Sequence, residues 1–166
     1  MAVILVRHPE TVDPRLISGH SDVAVAPHAL ATLDSLAASL PRVRHIVSSD
    51  LSRCRVLAEA VAAQRGVECI YDVRWREQTF GAWDGKRWDE VDGREYLEQW
   101  ITATPPGGES IVDVQTRVIA ALADAGHDTL VVTHAGPIRC VLAIVCGLSI
   151  ADAFAVPIPF GSWRSL

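Results

Sequence analysis

A chain of 166 residues is the size of one ordinary domain, and its 49% apolar content is enough to fill a core. A formal charge of −5 offers no basic field for nucleic acid, and the 15 Lys and Arg are not gathered into a run. No apolar stretch has membrane-spanning length, and the short N-terminal run meets Arg7 without a leader's cleavage pattern, so a single domain over 1–166, cytoplasmic and acting on a small molecule, is expected.

The run Ala2-Val3-Ile4-Leu5-Val6 is continuous, apolar and rich in β-branched residues, the pattern of a strand buried on both faces. It stops at Arg7-His8-Pro9-Glu10-Thr11, which carries a fixed cation and an imidazole to one edge of the sheet. Residues 10–26 have no helical period and read as a long functional loop. Pro27 suits a first helical turn, and the leucines that follow predict a helix over 27–40, stopped by Pro41.

Residues 45–49 predict a second strand, and Asp50 an N-cap for a helix that buries Cys54, Leu57, Ala58 and Val61 and ends near Gly66. Arg53 falls in the first turn of that helix, where a cation opposes the dipole and so calls for an anion nearby. A third strand is expected over 67–71. Residues 74–85 are charged and aromatic without a period, and a short helix is expected over 88–100, broken or weakened at Gly93. Ser110 and Asp113 form a capping box ahead of a helix with Ile111, Val114, Val118, Ala121, Leu122 and Ala125 on its buried face. Residues 129–133 are a strand as apolar as the first and also run into histidine, at His134, before a helix over 137–146. A last edge strand is placed at 154–159. Strands alternating with helices give an α/β fold, a three-layer αβα sandwich with a mostly parallel sheet.

Cys54, Cys69, Cys140 and Cys146 have no metal-ligand spacing and read as reduced thiols, so no metal or other cofactor is expected. If the two histidine-ended strands are neighbours, His8 and His134 emerge together, with Arg7, Arg53 and the open N–H groups of the helix at Gly136 making an anion pocket. Taken singly each has a plainer reading. His134 could be a core histidine, and Arg53 a partner of Asp50 or Glu77. Glu77 could pair with Arg74 or Arg76, and Glu10, Asp84 and Glu109 compete with it as pocket acids. Trp75, Trp83 and Trp88 serve either as packing anchors or as a platform for a flat group. His20, His28, His45 and His127 read as solvated.

Four segments together resemble the histidine phosphatase (phosphoglycerate-mutase-like) superfamily. They are Arg7-His8-Pro9-Glu10-Thr11, Ser48-Ser49-Asp50-Leu51-Ser52-Arg53-Cys54, residues 77–85 and Val132-Thr133-His134-Ala135-Gly136. Within it the nearest likeness is to α-ribazole-5′-phosphate phosphatases of cobalamin assembly. The resemblance implies a metal-independent phosphomonoesterase in which His8 attacks phosphorus. Arg7, Arg53, His134 and backbone groups at Gly19 and Ala135 would hold the phosphate, and Glu77 would serve as acid then base. The chain departs at Pro9, where the family usually has Gly, and at Val12-Asp13-Pro14, where an Asn is common; Ser18, Gly19 or His20 would then complete the pocket. A phosphoglycerate mutase, a phosphohistidine-protein phosphatase and a non-catalytic phospholigand binder are the alternatives.

Overall fold

A computed structural model describes residues 2–166. Strand β1 (Val3–Arg7) is followed by α1 (Pro27–Ala31), α2 (Leu33–Ser39), β2 (His45–Ser48), α3 (Ser52–Arg65) and β3 (Cys69–Tyr71). Then come 3-10 turns at Val73–Trp75, Gly81–Trp83 and Trp88–Glu90, with α4 (Arg94–Glu98) after them. The chain closes with α5 (Ile111–Ala125), β4 (Thr129–Thr133), α6 (Ala135–Val145), α7 (Ile150–Ala155) and β5 (Trp163–Ser165). The strands form one sheet in the order β3-β2-β4-β1-β5, parallel except for β5.

Alternation along the strands builds the three layers. Ile4, Val6, Leu130 and Val132 pack with α2 and α3 on one face, whereas Leu5 and Val131 pack with α5 and α6 on the other. Every residue of β4 is buried, as a central parallel strand covered on both faces requires. Because β1 leads to helices on one face and β4 to a helix on the other, a crevice opens between their carboxyl ends. The register pairs Arg7 with Thr133, so the next residues, His8 and His134, leave the sheet side by side.

Five expected elements differ. The helix over 88–100 is a 3-10 turn at Trp88–Glu90 and a separate short α4 that starts after Gly93. The helix over 27–40 is two, broken at Thr32, whose hydroxyl bonds back to the carbonyl of Ala29 at 3.3 Å. Asp50 does not cap α3: its carboxylate holds Arg76 at 2.7 Å, and Asp22 accepts the N–H of Ser52 at 2.8 Å instead. Residues 150–155 are helical, started by Ser149 whose hydroxyl accepts the N–H of Asp152 at 3.0 Å. The last strand is therefore Trp163–Ser165, whose N–H groups can join a ladder that Pro157 and Pro159 cannot. Among the described residues no helix is long and apolar enough to cross a membrane.

Candidate active site

The crevice is lined by Arg7, His8, Thr11, Pro14, Ser18, Glu77, Ala135, Gly136 and Arg139, with apolar walls from Leu16, Ile17, Phe80, Trp88, Phe154 and Phe160. His8 is set by the sheet, since its N–H donates to the carbonyl of Thr133 at 2.9 Å. Its Nδ1 lies 2.7 Å from the carbonyl of Pro9. A carbonyl only accepts, so Nδ1 carries the proton and the lone pair sits on Nε2. Pro9 thus contributes its oxygen, and the loss of its N–H leaves this contact intact.

Burial holds both imidazoles well below their ordinary pKa. For His8 the Arg53 cation adds to the effect and Arg7 contributes less; for His134 the Arg53 charge again comes next. Both rings are neutral near neutral pH. Below about pH 6.5 an unfolded chain protonates both rings while the folded chain does not, so acid favours unfolding. His20, half-buried beside Arg76, shifts the same way. Stability is therefore expected to be flat above roughly pH 7 and to fall from about pH 6.5 toward 5.5, by up to about 1.4 kcal/mol per pH unit for each buried ring. Urea denaturation across that window measures it; stability that held or rose on acidification would mean the rings are charged in the fold.

Arg53 and His134 lie one layer beneath the pocket wall, at 1% and 0% exposure. The His134 ring stands against His8 with centroids 5.0 Å apart. Arg53 Nε donates to His134 Nδ1 at 3.3 Å, so His134 Nε2 carries the proton and donates to Ser49 Oγ at 2.9 Å. The terminal nitrogens of Arg53 donate to the carbonyls of Ser18, Gly19 and Ser21 at 2.7–2.8 Å. The anion expected beside Arg53 is therefore supplied as carbonyl dipoles, and neither Asp50 nor Glu77 pairs with it. Both ring nitrogens of His134 and the terminal nitrogens of Arg53 are thus hydrogen-bonded within the protein. The N–H of Gly19 points to Asp84 at 2.7 Å and that of His20 to the same carboxylate at 3.1 Å. Cys54, with its sulfur 3.4 Å from His134 Nε2, has its thiol pushed up by burial and stays protonated, a neutral filler.

Of the four candidate acids only Glu77 lines the pocket. Glu10 meets His28, Asp84 holds the 19–20 turn, and Glu109 pairs with Arg117 at 2.6 Å. Arg74 binds Asp72 and Asp124, and Arg76 binds Asp50, which leaves no arginine salt bridge to Glu77. Its carboxylate instead accepts the N–H of Gly136 at 3.2 Å, at the positive start of α6. Arg117 fixes the backbone beneath it by donating to the carbonyls of Arg74, Arg76 and Glu77 at 2.6–2.9 Å. Gly81, at φ 54°, lets this loop press against the carbonyl of Pro106, where a Cβ would collide.

Arg7 is placed by one bond to the carbonyl of Ile158 at 2.6 Å, with its guanidinium carbon 3.7 Å from the Phe160 ring centre. Trp75 and Trp83 are packing anchors; Trp88, 44% exposed, is the tryptophan on the pocket wall. Val12 is exposed, and Asp13 pairs with Arg15 and Arg87, so that segment gives the pocket Pro14 and no amide. His20 is not merely solvated: its Nε2 meets the carbonyl of Glu77 at 3.0 Å. Sequence reasoning missed Ser49, Phe154, Phe160 and Arg139. For Arg139 a signal existed, a lone cation interrupting the apolar run 138–147. Among the described residues no cluster of three His, Cys, Asp or Glu is placed to hold a metal.

Paired histidines at the ends of two adjacent parallel strands, an arginine before the first and a carboxylate at the helix after the second suggest one family, and its model matches residues 3–166. The chain belongs to the histidine phosphatase superfamily, branch 1. Among histidine phosphatase relatives it is similar to the probable phosphoglycerate mutase GpmB of Klebsiella pneumoniae (strain 342), 32% identical over 89% of this chain and 76% of that one. The crystal structure of TTHB049 from Thermus thermophilus superposes with a TM-score of 0.81 at 31% identity, over 100% of this chain and 93% of that one. The α-ribazole phosphatase of Shigella flexneri, at 23% identity and a TM-score of 0.88 over 99% and 89%, shares the histidine phosphatase fold.

Proposed function

We propose that this chain is a metal-independent phosphomonoesterase that works through a phosphohistidine at His8. The observation that carries the reading is the tautomer: the Pro9 carbonyl accepts a hydrogen bond from Nδ1–H, which leaves an unprotonated Nε2 on a ring in the pocket wall beside Arg7. In the first step the Nε2 lone pair forms the N–P bond as the P–O bond to the alcohol breaks, and Glu77 gives its proton to the departing alkoxide. In the second step Glu77 takes a proton from water as the oxygen of that water attacks phosphorus. The N–P bond then breaks, releasing inorganic phosphate and neutral His8. Throughout, Nδ1–H stays on the Pro9 carbonyl, which stabilises the positive ring of the phosphorylated state. Arg7 and the N–H of Ala135 are the phosphate donors in the pocket wall, and Arg53 and His134 act from beneath as charge and support.

The apolar walls at Phe80, Trp88, Phe154 and Phe160 suit an alcohol with a flat organic group, and α-ribazole 5′-phosphate is the substrate proposed first. A second reading, phosphoglycerate mutase, rests on the name of the 32% identical relatives. Incubation with 32P-labelled phosphomonoester in EDTA, followed by denaturing isolation, is expected to yield an acid-labile, base-stable phosphoenzyme and free phosphate. No label on the protein would sink the phosphohistidine. A screen with α-ribazole phosphate and 3-phosphoglycerate decides between hydrolysis and isomerisation.

Gly136→Ala tests the placing of the acid. A Cβ there would collide with the Glu77 carboxylate, the far end of a flexible side chain. Alanine favours a helix over glycine, so stability should hold. The displaced acid should lower kcat for alkyl phosphates about 10- to 100-fold. Unchanged kcat would remove Glu77 from the reaction.

A further inference from the structure

Phe160 packs in none of the apolar clusters of the fold, neither those on the two faces of the sheet nor the small one around Trp83 and Tyr96. Its side chain is half-buried, in a turn that ties residues 158–162 to the end of β1. The N–H of Arg7 donates to the carbonyl of Ser162 at 3.0 Å, and the carbonyl of Arg7 accepts from Gly161 at 3.2 Å. What the ring meets is the reaction site. The guanidinium carbon of Arg7 stands 3.7 Å from its centre, and the His8 ring lies 5.5 Å away.

Arg7 has little else to orient it. Its side chain makes one hydrogen bond, from Nη1 to the carbonyl of Ile158 at 2.6 Å, and its buried Nε has no partner among the described residues. A single bond lets a guanidinium pivot about that contact, whereas a two-pronged grip on phosphate needs its plane fixed. An aromatic face fixes the plane, because the negative π cloud attracts the cation over the ring centre and leaves the edge of the fork free. Beyond Arg7, Phe160 parts the pocket from a groove lined by Pro9, His28, Thr32 and Leu36. Loss of the ring would therefore open the guanidinium to that groove rather than to a packed wall.

We propose that Phe160 is a positioning residue: its ring holds the Arg7 guanidinium in the plane that meets two phosphate oxygens. The proposal rests on the pocket being the phosphomonoester site, and the test separates the two.

Phe160→Met keeps the apolar bulk and removes the π face, whereas Phe160→Tyr keeps the face. Inorganic phosphate, titrated by calorimetry in EDTA, should bind Phe160→Met about 5- to 30-fold more weakly than the parent and Phe160→Tyr within about 3-fold of it. With p-nitrophenyl phosphate the loss should appear in KM, with kcat held within about 3-fold, because the fork grips phosphate before and during the reaction. A ring that only packed His8 would lower kcat instead. In 1H–15N spectra the Arg7 Nε–H, shielded by the ring, should move downfield in Phe160→Met and not in Phe160→Tyr. Phosphate binding without a phosphoenzyme would end the nucleophile at His8 and leave this role of Phe160 standing. Equal phosphate affinity in the parent and Phe160→Met overturns the proposal, as does a loss that Phe160→Tyr fails to restore. So does a parent that binds no phosphate. An Arg7 Nε–H resonance at the position of a solvated arginine in the parent overturns it whether or not either variant folds.

Discussion

His8→Ala is expected to lower kcat for p-nitrophenyl phosphate by at least about 10³-fold and to abolish the labelled phosphoenzyme. The expectation follows from what remains. Arg7, Glu77 and the start of α6 still bind phosphate and polarise it, but no lone pair faces phosphorus, so the reaction reverts to direct attack by water. A smaller effect attaches to structure, because the imidazole is 5% exposed and packs between the rings of His134 and Phe160, at 5.0 and 5.5 Å. Imidazole added to the medium distinguishes the two. It fits the space the side chain vacated, and a nucleophilic role predicts that it restores turnover and is itself phosphorylated. Loss without rescue, in a variant of parental stability, would point to His8 as a support for the pocket. Rates equal to the parent's would end the proposal.

The parts legible in the sequence are those fixed by neighbours along the chain. Two apolar runs ending in histidine announce two buried strands, and hydrophobic burial then selects their pairing and register, which sets His8 beside His134. The capping box at Ser110 and Asp113 is equally local, and it forms as expected. The parts not legible depend on which distant group arrives. Asp50 had every local reason to cap α3, yet Arg76 reaches it across 26 residues with a two-pronged pair that a cap cannot match. The choice of Glu77 among four acids is likewise made at long range, by Arg117 holding its backbone from α5. Phe160 enters the pocket because β5 returns along β1 and brings the carbonyl of His8 to the N–H of Gly161, a route that no spacing announces. The tautomer of His134 depends on Arg53 and Ser49 together and could only be read once both had been placed.

Arg53→Met should be the most destabilising single change in the site. Methionine keeps the apolar length of the side chain, so the loss is one of donors rather than volume. The carbonyls of Ser18, Gly19 and Ser21 and Nδ1 of His134 would all lose their partner at once. An unmatched buried acceptor costs about 1–3 kcal/mol, and removing a buried charged hub about 3–5 kcal/mol. At this chain length each kcal/mol lowers Tm by about 2–4 °C, so the expected fall is roughly 6–20 °C. The cation is also the second-largest influence keeping His8 uncharged, after burial. Without it the acid limb of the pH–rate profile should move to higher pH, in the protein fraction that remains folded. Arg53→Lys separates the two roles, since it restores the charge beneath His8 but cannot span three carbonyls. It should recover the pH profile while leaving Tm low. A Tm for Arg53→Met within about 2 °C of the parent would mean that Asp84, through the N–H groups of Gly19 and His20, holds the 18–21 turn by itself. The guanidinium would then be available to turn toward a phosphate, the contact the sequence first suggested for it.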